Sequence, residues 1–303
     1  MSAGSRRDDE ETVLSLATHP APLHGTLTRA LVAPENATAV LILAGSGPVD
    51  RDGNLPGTRN DSLKLLAQGL ARRGVTSLRV DKRGVGASRA AGPAEEDLRF
   101  TTYVDDALLW LDRLAAETGI HRLGVIGHSE GALVATLAAQ RRLALSHLAL
   151  IGGAGFPAGQ IIRRQLASGS VPQPLRDAAE RALAALERGR RADEAPPELA
   201  TLFRPSVQPY LMSWLPLDPA DELRHVATPT LIVQGTTDLQ TGESDARALA
   251  AARPDAELAF IDGMNHVLKQ ALLDRTANLA AYADPTLPLA PGLVERIAEF
   301  LTR

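Results

Sequence analysis

The chain has 303 residues, of which 45% are hydrophobic, and a formal net charge of -4, enough apolar material to bury a large core as one domain or as a domain with an insertion. With a pI near 6.0 and arginines scattered among acids, it offers no basic field for nucleic acid, and the absence of cysteine excludes disulfides and thiolate chemistry. The opening "MSAGSRRDDEE" is polar with no apolar region behind it, and no stretch approaches the roughly 18 apolar residues of a membrane span, so a soluble, cytoplasmic protein without a membrane partner is expected.

Short β-like runs then alternate with longer helical patterns. "TVLSLAT" and "LHGTLTRALVAP" read as a hairpin or edge pair, followed by "AVLILAG", "VTSLRVD", "RLGVIGH", "HLALIGG", "PTLIVQG" and "AELAFID". Between several of these lie "SLKLLAQGLARRG", "YVDDALLWLDRLAAETG" and "GALVATLAAQRR", and "LVERIAEFL" closes the chain, each with apolar residues at three- and four-residue spacing. This alternation predicts an α/β fold with a mostly parallel, eight-stranded sheet and helices on both faces. The segment 156–226 breaks it: Pro, Arg and Ala dominate, and "PLRDAAERALAALERGR" puts Leu175, Ala178, Ala179, Ala182, Leu183 and Leu186 on one helical face. A helical cap insertion is predicted there, between core segments 1–155 and 227–303. It leaves the core at the carboxyl edge of the sheet, where open α/β folds bind ligands.

In "RLGVIGHSEGALVATLAAQ", Gly127-His128-Ser129-Glu130-Gly131 lies between a strand and a helix. That context is a nucleophile elbow, a strained turn that lifts the serine hydroxyl above the sheet, with the flanking glycines leaving room where the chain doubles back. A phosphate-binding turn is the competing reading, but "GHSEG" lacks the lysine of a P-loop and the GxGxxG spacing. A serine hydroxyl needs a base, and the base needs an orienting acid. Of the seven histidines, only His266, in "IDGMNHVLK", follows the last strand; His19, His24, His121, His147 and His225 sit near strand starts, and His128 adjoins the nucleophile. Asp238, after "PTLIVQG", is the acid candidate, with Asp245 and Asp262 as rivals. For the oxyanion hole the candidates are the amides of Glu130 and, on the loop "AGSGPVDRDGN", Ser46. Trp214 and Leu215, in the apolar "YLMSWLPL" with Leu211, Met212 and Leu217, suggest an acyl-pocket wall, although a packing face between cap and core fits the same pattern.

From about Leu23 to the C-terminus the chain resembles the α/β-hydrolase superfamily, in the branch of bacterial carboxylesterases related to serine aminopeptidase-like hydrolases. The resemblance is carried by "LHGTL", "AGSGPVDRDGN", "RVDKRGVGAS", "GHSEGA", "GTTD", "GMNHVLK" and "ANLAAYADPTLPLAPGLVERIAEFL". It implies an α/β-hydrolase fold and a Ser-His-Asp esterase with Ser129, Asp238 and His266 at the triad positions, acting on a small-molecule ester without metal or organic cofactor. Asp81 and Arg83 would brace a loop rather than act chemically. Amide or peptide cleavage, acyl transfer, and a non-catalytic ligand-binding role are the other functions the same fold can host.

Overall fold

A computed structural model describes residues 11–32, 37–117, 119–168, 171–192 and 195–303. Its strands are β1 (Glu11–Leu16), β2 (Leu23–Thr28), β3 (Thr38–Leu43), β4 (Val75–Val80), β5 (Arg122–His128), β6 (His147–Ile151), β7 (Thr230–Gly235) and β8 (Glu257–Ile261). They form one sheet in the order β1-β2-β4-β3-β5-β6-β7-β8. β1 pairs antiparallel with β2 and β2 with β4, and every later pairing is parallel. The helices are α1 (Ser62–Ala71), α2 (Phe100–Ala115), α3 (Glu130–Arg141), α4 (Ala158–Ser168), α5 (Gln173–Leu186), α6 (Ala200–Phe203), α7 (Gln208–Trp214), α8 (Pro219–Arg224), α9 (Glu243–Ala252), α10 (Arg275–Ala280) and α11 (Leu293–Thr302). No described helix is long and apolar enough to cross a membrane.

The central strands are apolar throughout because both faces are covered. Side chains alternate across a strand, so Ala39, Leu41 and Leu43 of β3 join the core under α2, α3 and α9, while Val40, Ile42 and Ala44 join the core under α1 and α11. Leu148 and Leu150 of β6 divide from Ala149 and Ile151 in the same way. The apolar spacing of α2 brings Val104, Ala107, Trp110, Leu111 and Leu114 onto its buried face.

Between β6 and β7 the helices α4 to α7 share a separate apolar cluster. On α5, Ala178, Ala179, Ala182, Leu183 and Leu186 are buried in it together with Ile162, Phe203, Leu211 and Leu215. The segment's last helix, α8, turns back to the main core, where Leu223 and Val226 are buried. Arg164 of α4 donates to Asp245 of α9 at 2.7 Å, Arg204 pairs with Glu95, and Phe100 N donates to Ser213 Oγ at 2.8 Å. Polar and aromatic contacts thus fasten these helices to the core on two sides.

At the amino end of β6 the buried His147 ring meets Phe300 edge-on, 5.1 Å between centroids, with Nδ1 unpartnered. Burial, and then the nearby Arg122, lowers its pKa to about 4. An unfolded histidine takes its proton near pH 6.5, so the unfolded chain binds that proton first and stability is lost as pH falls from about 6.5 toward 4. Urea unfolding at pH 7 and pH 5 should show His147→Gln losing on the order of 1–2 kcal/mol less than the parent over that interval. Equal losses would remove His147 from the acid response.

Candidate active site

The parallel strands deliver their carboxyl ends, and the loops that follow them, to one edge of the sheet. Ser129 follows β5 there with φ 56° and ψ -121°, a conformation that costs a non-glycine residue about 1–3 kcal/mol. The turn closes because Gly127 and Gly131, two residues to either side, have no side chains. A Cβ on Gly127 would lie 2.2 Å from Gly131 O, and one on Gly131 would lie 2.4 Å from Leu43 O. Ser129 N donates to Ile151 O at 2.9 Å, locking the turn to the end of β6.

His266 lies on the loop after β8. Its Nδ1–H donates to Asp238 Oδ2 at 2.8 Å, which leaves Nε2 as the acceptor. Asp238, on the loop after β7, also accepts from Gln240 N at 2.8 Å, Thr241 N at 3.1 Å and Thr241 Oγ1 at 3.2 Å. Burial alone would raise its pKa; the His266 ring, the hydrogen bond to it and the two amides outweigh burial and hold the carboxyl below its ordinary range. The two rival acids are engaged elsewhere. Asp245 is fully buried at the start of α9, accepting from Gly155 N, Gly242 N and Arg164. Asp262 is exposed and bonded to Thr236 Oγ1.

Two residues that sequence reasoning passed over complete this geometry. His128 is buried against His266, 4.9 Å between ring centroids, and its Nε2 donates to His266 O at 2.8 Å. Burial first, and then His266, lowers the His128 pKa to about 4, so at neutral pH it is an uncharged strut that fixes the backbone of its neighbour. Gly152, at the end of β6, has φ 56°, and a Cβ there would lie 3.3 Å from Asp238 Oδ2 and 3.6 Å from His266 Nδ1. Only glycine combines that backbone with so close a cover over the Asp–His hydrogen bond. The run "HLALIGG" marks this position as glycine but carries no sign of what it faces.

Gly45, on the loop after β3, faces the elbow: a Cβ on it would lie 3.0 Å from Ser129 Cβ and 3.5 Å from Oγ. Ser46 follows it on the exposed side. Lys82 Nζ donates to Gly45 O and lies 3.7 Å from Glu130 Oε1. Asp81 accepts from Arg51 N, Arg51 Nη2 and Ala87 N, each at 2.8 Å, and Arg83 grips Asp106 with Nε and Nη2. Asp81 therefore ties two loops together, and Arg83 ties its loop to α2. Val80, Lys82, Tyr103, Trp110, Gly131 and Val134 line a cavity of about 30 Å³, which has room for a water or two. Among the described residues no group of three or more His, Asp or Glu side chains is placed to hold a metal ion.

Leu215 is 4% exposed inside the α4–α7 cluster, and Trp214 stacks on Phe100 at 5.9 Å and 15°. Of the two readings of "YLMSWLPL", pocket wall or packing face, these contacts favour packing of helices on one another and on α2. Leu215→Ala should therefore lower the unfolding free energy by about 2–5 kcal/mol and leave the ratio of rates on short and long acyl esters unchanged. A changed acyl preference at unaltered Tm would place Leu215 at the substrate instead.

A mostly parallel eight-stranded sheet, with a strained serine elbow and an Asp–His pair at the carboxyl edge, defines an α/β hydrolase. Residues 40–281 match the sequence model of the alpha/beta hydrolase family, and the chain belongs to that family. Esterase EstD of Thermotoga maritima is 28% identical over 235 residues, which make up 76% of this chain and 54% of that protein. The chain thus spans about half the length of this relative. Among solved structures, Est1E from Butyrivibrio proteoclasticus is similar with a TM-score of 0.61 at 17% identity, covering 96% of this chain and 99% of that one. The Pyrococcus furiosus esterase Pf2001 is similar with a TM-score of 0.56 at 16% identity, covering 97% and 92%. At these identities the two structures speak for the fold.

Proposed function

We propose that the protein is a serine carboxylesterase working through an acyl-enzyme. The observation that carries this reading is the buried His266–Asp238 hydrogen bond at 2.8 Å, which leaves the free imidazole nitrogen to serve the elbow serine. Ser129 Oγ attacks the ester carbonyl as His266 Nε2 takes its proton, and the tetrahedral oxyanion is held by the amides of Glu130 and Ser46. The imidazolium then protonates the departing alkoxide, leaving an acyl group on Ser129. Water repeats the sequence: His266 takes its proton, hydroxide adds to the acyl carbon, and Ser129 leaves with the proton returned. Asp238 holds the ring in the useful tautomer and stabilises its cation. The helices of 156–226, fastened to Asp245, Glu95 and Phe100, act as a cap beside this edge and bound the substrate space.

The names of EstD, Est1E and Pf2001 agree with ester cleavage, and Est1E has been solved with ferulic acid bound. A test is a panel of p-nitrophenyl acyl esters, a ferulate ester and aminoacyl p-nitroanilides offered to the purified protein. Ester turnover exceeding anilide turnover is the expected result. Preferential anilide cleavage would make the enzyme an amidase or aminopeptidase on the same residues, and no turnover of either class would overturn the catalytic reading.

A further inference from the structure

Lys82 and Glu130, whose backbone amide is one of the proposed oxyanion donors, form a buried ion pair. Their side chains are 11% and 3% exposed, with Nζ 3.7 Å from Oε1. Lys82 Nζ also lies 5.4 Å from the centre of the Tyr103 ring, and Tyr103 in turn meets Tyr210 at 5.9 Å. Burial, and secondarily Glu130, raises the pKa of both tyrosine hydroxyls, so neutral aromatic side chains stand against the pair. Burial lowers the Lys82 pKa and Glu130 opposes that shift, so removing one partner leaves the other charge buried and unpaired.

What the pair holds gives it a role. Lys82 Nζ donates to the carbonyl of Gly45. In a trans peptide the C=O and the next N–H point in opposite directions, so a cation pulling Gly45 O to one side turns Ser46 N–H to the other. Glu130, the other end of the ion pair, is the residue whose own backbone amide is the second donor. We infer that Lys82 is a positioning residue: through Gly45 O on one loop and the Glu130 carboxylate on α3, it fixes the two oxyanion amides relative to each other. Asp81 and Arg83, its neighbours in "DKRG", are spent on Arg51 and Asp106 and have no such reach. The inference rests on the acyl-transfer reading above.

The test compares the wild type with Lys82→Met/Glu130→Gln, which removes both charges at nearly constant volume, and with Lys82→Arg, which keeps a cationic donor. Kinetics on p-nitrophenyl acetate are paired with inhibition by an aryl trifluoromethyl ketone, which forms an oxyanion on the serine. Loss of a whole oxyanion donor costs about 10²–10³ in kcat, so misplacing one should cost about 10–100-fold. The double variant should show that fall in kcat with KM within about threefold, ketone affinity falling in parallel, and partial rescue in Lys82→Arg. Purely structural damage would lower Tm without this parallel. A folded double variant with kcat and ketone affinity within twofold of wild type overturns the inference. Should the double variant not fold, Glu130→Gln decides alone. A parallel fall of about three- to tenfold supports the clamp, and values within twofold overturn it. A wild-type enzyme that cleaves esters while its variants are unaffected sinks the clamp alone; a wild type that cleaves none sinks the acyl-transfer reading and the clamp with it.

Discussion

Ser129→Ala should lower kcat for p-nitrophenyl acetate by about 10⁵–10⁶ while the protein stays folded. The magnitude follows from what remains: without the hydroxyl no acyl-enzyme forms, and only binding and the oxyanion amides still assist water. The fold should be little changed in stability, because alanine meets the same φ 56° and ψ -121° at the same cost as serine. Its turn is enforced by Gly127 and Gly131, whose absent side chains let the strand end, the helix start and Leu43 O come together. Steady-state kinetics with near-UV circular dichroism check both halves. A folded Ser129→Ala within tenfold of the parent would assign the chemistry to another residue.

The second large effect is on the acid. Asp238→Asn should lower kcat by about 10⁴, since an amide in place of the carboxylate no longer selects the tautomer that accepts the serine proton and no longer stabilises the imidazolium. Folding and substrate binding should survive, because the Gln240 and Thr241 amides that reach Asp238 Oδ1 can still be met by the asparagine oxygen. Asp245→Asn should do the reverse. Its carboxylate joins Gly155, Gly242 and Arg164, so its loss should lower Tm and loosen the 156–226 helices with kcat within a few-fold of wild type. A crippled Asp245→Asn beside a fully active Asp238→Asn would exchange the two roles.

Much of this architecture is written in local pattern. Strand candidates such as "AVLILAG" and "PTLIVQG" stand out because strands buried on both faces must be continuously apolar. The elbow is legible because two glycines and a serine at that spacing, between strand and helix, have a steric reason to be there. The order Ser129, Asp238, His266 points to the residues that the loops after β5, β7 and β8 carry to one edge. What stayed hidden depends on partners distant in sequence. That Gly152 covers the Asp238–His266 bond, or that His128 struts His266 O, follows only from strands β5, β6, β7 and β8 lying side by side in that order. Lys82 is unreadable for the same reason: in "DKRG" three charged residues stand together, and only the fold separates the two that brace loops from the one on Gly45 O. In 156–226 the helices are short and their apolar faces meet one another, so a run such as "YLMSWLPL" gives no sign whether it faces a substrate or another helix. Here Leu215 faces other helices, so its substitution is expected to act on stability first.

The most direct measurement is titration with a fluorophosphonate followed by peptide mapping of the adduct. One equivalent should abolish ester hydrolysis and place the phosphonyl group on the peptide containing Gly127-His128-Ser129-Glu130-Gly131, at Ser129, with labelling lost in Ser129→Ala. Full activity after labelling, or a stoichiometric adduct on any other residue, would contradict the assignment of Ser129 as the nucleophile.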